Sequence, residues 1–264
     1  MELSVFQFGL VSNLMSLTVA AMGAAAIFFI ASRSEVAREY RPALLISGLV
    51  VAIAGYHYWQ ILGSFTDAYV LEAGRYVASG KPFNDAYRYA DWLLTVPLLV
   101  IELIAVMNLH KQQSRSLMTR LGVAAVAMIA LGYPGEVATG VGSSMLWWLL
   151  AMVPFLYIVR TLYGEFGEAV ERQPDAARSL VSKARLLTVA SWTFYPVAYL
   201  GGLGASAGGA TLLQVGYTVS DLVAKVGLGL FIYAIARAKS AADASDHGTA
   251  DLGVTSSGGE SFAA

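Results

Sequence analysis

The chain has no cysteine among its 264 residues. That absence excludes a disulfide framework, thiol catalysis and a cysteine-ligated metal site, and no other grouping of residues points to a metal. Charge is scarce too: 13% of residues are Asp, Glu, Lys or Arg, against about 25% in a soluble globular domain. The 17 Lys and Arg nearly balance the 18 Asp and Glu, and no basic patch marks a nucleic-acid partner. The opening Met1-Glu-Leu-Ser-Val-Phe6 lacks a basic region and a cleavage site, so no removable signal peptide is expected. No internal repeat is evident, which weighs against an inverted-repeat transporter. What remains is apolar: 57% of residues are hydrophobic and the mean hydropathy is +0.61. This is a membrane composition.

A spanning helix needs about 20 apolar residues. Seven such runs are read, at 8–31, 42–65, 85–109, 116–135, 143–166, 180–203 and 212–238. The expected fold is an all-α seven-transmembrane bundle over residues 1–239. Between the second and third spans, Ala68–Leu71 and Arg75–Ala78 flank Ala73-Gly74 and predict a short β-hairpin. The tail at 240–264, rich in Ser, Gly, Ala and Asp, is expected to be disordered. Most Lys and Arg fall on one side of this arrangement: Arg33, Arg38, Arg41, Lys111, Arg115, Arg120, Arg160, Arg172, Arg178, Lys183, Arg185, Arg237 and Lys239. Only Arg75 and Lys81 fall on the other. The crowded side is expected to be cytoplasmic, with the N-terminus and hairpin outside and the C-terminus inside.

Lys225 and Asp221 stand four residues apart in the last span, stacked on one helix face. Intramembrane charges are costly and usually pair and act, and a lysine in a dry pocket is able to form a Schiff base. The third span carries Arg88, Asp91, Thr95 and Glu102. Eleven residues make about three turns, so Glu102 faces nearly as Asp91 does, roughly 16 Å further along. That is the layout of a proton path. The plainer alternatives are a structural Arg88–Asp91 ion pair and a Thr95 hydroxyl bonded to a backbone carbonyl. Glu102 has only apolar near neighbours and is expected to rest protonated, which makes it a possible donor. His57 among aromatics is, taken alone, more often packing. Trp92, Trp148, Trp192, Tyr195 and Tyr199 are either packing residues or the walls of a slot for a long apolar ligand on Lys225. Pro97, Pro154 and Pro196 should kink their helices.

These residues resemble a microbial rhodopsin of the proteorhodopsin and xanthorhodopsin-like group of outward proton pumps. The resemblance runs from the first span to the seventh. It is most specific in Arg88-Tyr-Ala-Asp-Trp-Leu-Leu-Thr-Val-Pro97, Ala54-Gly-Tyr-His-Tyr58, Gly132-Tyr-Pro-Gly-Glu136, Trp192-Thr-Phe-Tyr-Pro196 and Ser220-Asp-Leu-Val-Ala-Lys225. It implies all-trans retinal bound as a protonated Schiff base on Lys225. Asp91 would be the counterion and proton acceptor, Asp221 the second carboxylate of that complex, and Glu102 the proton donor. Arg88, His57 and Thr95 would tune the counterion, His57 titrating together with Asp91. Trp92, Leu99, Met128, Gly132, Trp148, Trp192, Tyr195 and Tyr199 would form the retinal pocket.

The resemblance also bears on the ion. Asp91, Thr95 and Glu102 match the proton-pump set, whereas chloride pumps of the group lack the acceptor carboxylate and sodium pumps carry Asn-Asp-Gln. Leu99 matches the position that distinguishes green from blue absorption, and predicts green. Two departures stand out. Val226 replaces a proline common in relatives, and Trp148 fills the place of a glycine that admits a carotenoid antenna. No antenna is therefore expected there. The expected protein is a light-driven transporter of the inner or plasma membrane rather than an enzyme, a pentamer or hexamer with no obligatory signalling partner. The alternatives are a sensory photoreceptor signalling through a membrane partner and, further behind, a retinal-free transporter or scaffold.

Overall fold

The computed structural model of the protein describes residues 2–203 and 206–252. Strand β1 (Leu3–Ser4) leads directly into helix α1 (Val5–Ala31). Ser4 caps that helix reciprocally: its hydroxyl accepts from Gln7 N at 3.1 Å, and Gln7 Oε1 accepts from Ser4 N at 2.9 Å. Two of the orphan donors of a helix start are thereby satisfied. A short 3₁₀ turn precedes α2 (Arg41–Asp67), which has a proline in its first turn, where no backbone donor is needed.

The predicted hairpin is present as β2 (Tyr69–Glu72) and β3 (Arg75–Ala78). Its two-residue turn holds Ala73 at φ 45° and Gly74 at φ 79°, the left-handed pair that matches the twist of a tight hairpin. β1 adds to the other edge of β3, giving the order β1-β3-β2. That third strand was not foreseen, because a two-residue pairing leaves no periodicity to read.

Helix α3 (Ala86–Met107) ends at Asn108 in the left-handed conformation, φ 51°. Then follow α4 (Lys111–Glu136), α5 (Val141–Tyr163), the short α6 (Glu165–Glu171), α7 (Asp175–Gly202) and α8 (Ala207–Asp221). Leu222–Gly227 form a wide π turn, and α9 (Leu228–Leu252) continues the seventh span. Among the described residues, seven long helical segments thus make the bundle. Successive helices from α1 to α5 pack on one another, and α8 packs on both α7 and α1 to close the ring.

Most helices outrun the spans read from hydropathy. α4 begins at Lys111 rather than Ser116, and α7 at Asp175 rather than Leu180. Hydropathy marks the lipid-immersed part of a helix, while polar turns at its ends keep their backbone hydrogen bonds in water. Among the described residues, six segments are long and apolar enough to cross a membrane. α7 falls outside that set because its apolar stretch is diluted by Arg185, Thr188, Ser191, Trp192, Thr193, Tyr195 and Tyr199. α9 passes Ala238 and runs to Leu252, so the start of the segment expected to be disordered is helix. Ser240 Oγ accepts from Ala37 N at 2.8 Å and Asp243 accepts from the Tyr40 hydroxyl at 3.0 Å, tying that start to the α1–α2 link. Residues 253–264 lie outside the described residues.

Ile27, Trp59, Val153 and Val197 face outward, as in helices whose surroundings are as apolar as their core. α3 is the most enclosed span, with 61% of its apolar window buried against 22% for α4. The charges on α3 therefore point into protein.

Candidate functional site

The buried charges converge where α3 meets the wide turn. Lys225 is 1% exposed, and its Nζ donates to Asp91 Oδ2 at 2.6 Å and to Asp221 Oδ1. One cation thus lies between two carboxylates, all three without access to water. The π turn carries the lysine. Such wide turns occur mostly as single turns within α-helices and often mark functional positions. Val226, singled out from the sequence as a departure, falls inside it.

The two carboxylates have different surroundings. Asp221 accepts from the Tyr58 hydroxyl at 2.7 Å, the Tyr195 hydroxyl at 2.7 Å and Trp92 Nε1 at 3.0 Å. Among the described residues Asp91 Oδ1 has no hydrogen-bond partner. His57 stands beside that oxygen, its Nδ1 3.9 Å away, while the same nitrogen lies 3.0 Å from Ile53 O. To donate to a carbonyl, Nδ1 must carry the proton.

Arg88 turns away from Asp91. Its Nε pairs with Asp85 at 3.2 Å, and Nη1 meets the Tyr58 hydroxyl at 2.9 Å and Asp221 at 3.8 Å. Nη2 meets Gln214 Oε1 at 2.7 Å. The Arg88–Asp91 ion pair weighed from the sequence is therefore replaced by one to Asp85 and Asp221. Same-helix spacing could not reveal partners on α8. Thr95 takes the plain alternative, its hydroxyl donating to Asp91 O at 2.9 Å. Glu102 is fully buried; among the described residues it has no charged partner, and the one polar side chain acting on its carboxyl is the Ser47 hydroxyl of α2.

An apolar cavity begins at Lys225 and Asp221 and is walled by Trp92, Val96, Leu99, Met128, Ile129, Trp192 and Tyr195. A second adjoins it, sharing Trp92, Met128, Ile129 and Tyr195 and reaching Gly132, Trp148 and Tyr199. All eight residues expected to line a ligand slot border one of these two spaces. A Cβ added at Gly132 would meet the Tyr89 ring at 3.5 Å, an ordinary van der Waals contact, so this wall would accept a methyl group. Trp148 Nε1 donates to Pro196 O at 3.3 Å, which fixes the indole across α5 and α7. The donor set and the space fit a long, flat, apolar group carried on Lys225: a buried amine, two carboxylates for its charge, and aromatic walls leading away from it.

Reading the sequence missed several members of this network. Tyr58 lay within a recognised motif without being assigned a contact, and Tyr217 began the lysine-bearing stretch. Glu136 likewise closed a recognised motif without being assigned a contact, and Asp85 and Gln214 carried no signal of their own. Their place follows from tertiary contacts: Tyr89 donates to Glu136 at 3.2 Å, and the Tyr217 ring lies 5.3 Å from the Arg88 guanidinium.

A family model of bacteriorhodopsin-like proteins matches residues 10–239. The structure is similar to that of xanthorhodopsin, described as a light-driven ion pump with dual chromophore. The TM-score is 0.89 and the identity 46%, over 92% of this chain and 98% of that one. The sequence is 31% identical over 222 residues to a green-light absorbing proteorhodopsin of Gamma-proteobacterium EBAC31A08, covering 83% of this chain and 84% of the relative. It is 30% identical over 223 residues to a blue-light absorbing proteorhodopsin of Gamma-proteobacterium Hot 75m4, covering 83% of each. With the match running from α1 into α9, the chain belongs to the bacteriorhodopsin-like family and is a microbial rhodopsin.

Proposed function

We propose that this protein is a light-driven proton pump that moves protons outward and absorbs green light. The observation that carries the reading is Lys225 Nζ held between Asp91 and Asp221 at the mouth of an apolar, aromatic-walled cavity. All-trans retinal, bound as a Schiff base to Lys225, supplies the light absorption and the isomerisation that drive the cycle.

Asp91 takes up the proton that leaves Lys225 Nζ. It lies 2.6 Å from that nitrogen and keeps one oxygen free, whereas Asp221 is already engaged by Tyr58, Tyr195 and Trp92. Asp221 and Arg88 hold the remaining charge in place, and His57 tunes Asp91 from α2. Glu102 returns a proton to Nζ from the opposite side. A buried carboxylate without a cationic partner is strongly disfavoured, so Glu102, with only the Ser47 hydroxyl beside it, rests neutral and has a proton to give. The hairpin end faces outward and the Lys/Arg-rich end faces the cytoplasm of an inner or plasma membrane, following the positive-inside bias.

Green absorption is supported by Leu99 on the cavity wall beside Lys225; overall similarity does not decide colour, since green and blue relatives are about equally close. Xanthorhodopsin is described as having a dual chromophore. Here the Trp148 indole stands across α5 and α7, and we take retinal to be the sole chromophore. Energy transfer from an added hydroxylated carotenoid to retinal in an excitation spectrum would refute this. The pump works as a homo-oligomer, a pentamer or hexamer in the bilayer, without a signalling partner.

The test is external pH in a lightly buffered suspension of cells expressing the protein with all-trans retinal under green light. Acidification abolished by a protonophore is the expected result. Alkalinisation enhanced by a protonophore would mean another ion. No change in visibly coloured cells would favour a photosensor.

A further inference from the structure

At the end of the bundle away from the hairpin, Lys239 of α9 is only 5% exposed. Its ammonium donates to Val106 O at 3.1 Å, Met107 O at 2.9 Å and Gln173 Oε1 at 2.9 Å. The two carbonyls are the last of α3, which a helix leaves without internal partners, and a cation is favoured at that end of the helix dipole. Gln173 belongs to the α6–α7 link, and its amide nitrogen donates back to Ala169 O at 3.2 Å. The ammonium also stands over the Tyr40 ring, 5.0 Å from its centroid. One buried cation therefore ties together α3, α9, the entry to α7 and the α1–α2 link.

Glu102 lies four residues before Val106 on α3, about 6 Å along the helix axis, sealed from water with the Ser47 hydroxyl beside it and no cation to pair with among the described residues. The Lys239 contacts join the end of α3 to the α6–α7 link one helical turn beyond Glu102. A fixed positive charge on the way in also disfavours an excess proton beside it. Nothing in the transfer between Lys225 and Asp91 uses Lys239.

We propose that Lys239 is a positioning residue that latches the ends of α3, α7 and α9 over Glu102, so that release of this latch sets the rate at which Glu102 regains its proton from water. The proposal rests on the reading of Glu102 as donor.

The test is time-resolved infrared difference spectroscopy of the full-length pigment formed with all-trans retinal. It follows the Glu102 carboxyl band, identified by its loss in Glu102→Gln. Lys239→Met keeps most of the stem and removes the ammonium. Lys239→Met removes all three ammonium bonds, so refilling of Glu102 is expected to become at least about threefold faster, the effect of even one net hydrogen bond lost from the closed state. The visible maximum and the first transfer to Asp91 should stay as in the parent, and Lys239→Arg should restore the parental refill rate. A merely structural lysine would change thermal stability without this selective acceleration. Gln173→Ala removes one partner and leaves the lysine bonded to α3. It should accelerate refilling less, and it keeps the proposal testable if Lys239→Met forms no pigment. An unchanged or slower refill in the pigment-forming variants overturns the latch. A carboxyl band that persists in Glu102→Gln strikes the donor assignment itself, which is a different failure.

Discussion

Replacing Tyr58 by Phe tests the charge network around Lys225 with little change in volume. The tyrosine is fully buried, and its hydroxyl works in two directions, donating to Asp221 at 2.7 Å and accepting from Arg88 at 2.9 Å. Each is a hydrogen bond to a charged group, worth about 1.5–3 kcal/mol. The substitution does not lose the full sum. Arg88 Nη1 and Asp221 Oδ2 lie 3.8 Å apart and can close into a direct ion pair, while Asp221 keeps Tyr195 and Trp92. A net loss of about 2–3 kcal/mol follows from these bond values. At roughly 2–4 °C per kcal/mol for a domain of this size, thermal bleaching of the visible band should fall by about 4–12 °C. A midpoint within about 1 °C of the parent would refute the reasoning. A double-mutant cycle sharpens the test, because in an Asp221→Asn background the cost of Tyr58→Phe should drop by more than about 1 kcal/mol. If the cost is the same in both backgrounds, the hydroxyl is not acting through Asp221.

Asp91→Asn should abolish light-driven acidification and shift the absorption band to the red, both read on the same membranes; retained acidification would reassign the acceptor. Glu102→Gln should leave the colour unchanged and slow re-protonation of Lys225 Nζ, and a cycle at the parental rate would mean that another group is the donor. Gly229→Ala should destabilise the protein by about 1–3 kcal/mol through overpacking, since the added Cβ would stand 2.4 Å from the Phe29 ring. Phe29→Leu in the same chain should recover much of the loss in thermal bleaching, and failure to do so would locate the strain elsewhere.

The membrane class, the seven spans and the hairpin were legible because each rests on local patterns: apolar runs, the Lys/Arg bias and a left-handed turn at Ala73-Gly74. Helix ends were less so. Lys111 and Asp175 extend their helices into polar territory that hydropathy does not score. The site divides in the same way. Asp221 and Lys225 share a helix face by spacing alone, and their contact could be anticipated. Arg88 was matched to Asp91 on its own helix, yet its partners include Gln214 and Asp221 on α8 and Tyr58 on α2. No one-dimensional spacing carries that information. The role of His57 came only from resemblance, and its 3.9 Å approach to Asp91 is a tertiary fact. Lys239 was read as one more positive charge on the crowded side. Its burial depends on Asn108 ending α3 where it does and on Gln173 arriving from another helix.

The wide turn at Leu222–Gly227 has a consequence for the phase of the last span. An α-helix advances about 100° per residue, and a single π turn takes in roughly one residue more than a regular turn. Everything after Gly227 is therefore rotated by about 100° from where a helical wheel started at Tyr217 would place it. Residues of α8 and α9 that share a stripe on paper face different neighbours in the protein, and Phe231, Ile235 and Lys239 have to be assigned from a wheel restarted at Leu228. A one-residue deletion within the turn would be the mildest possible change in length. Because it removes the residue that the wide turn takes in, a regular helix would then keep α9 in register with α3, and the placement of Lys225 is what would change.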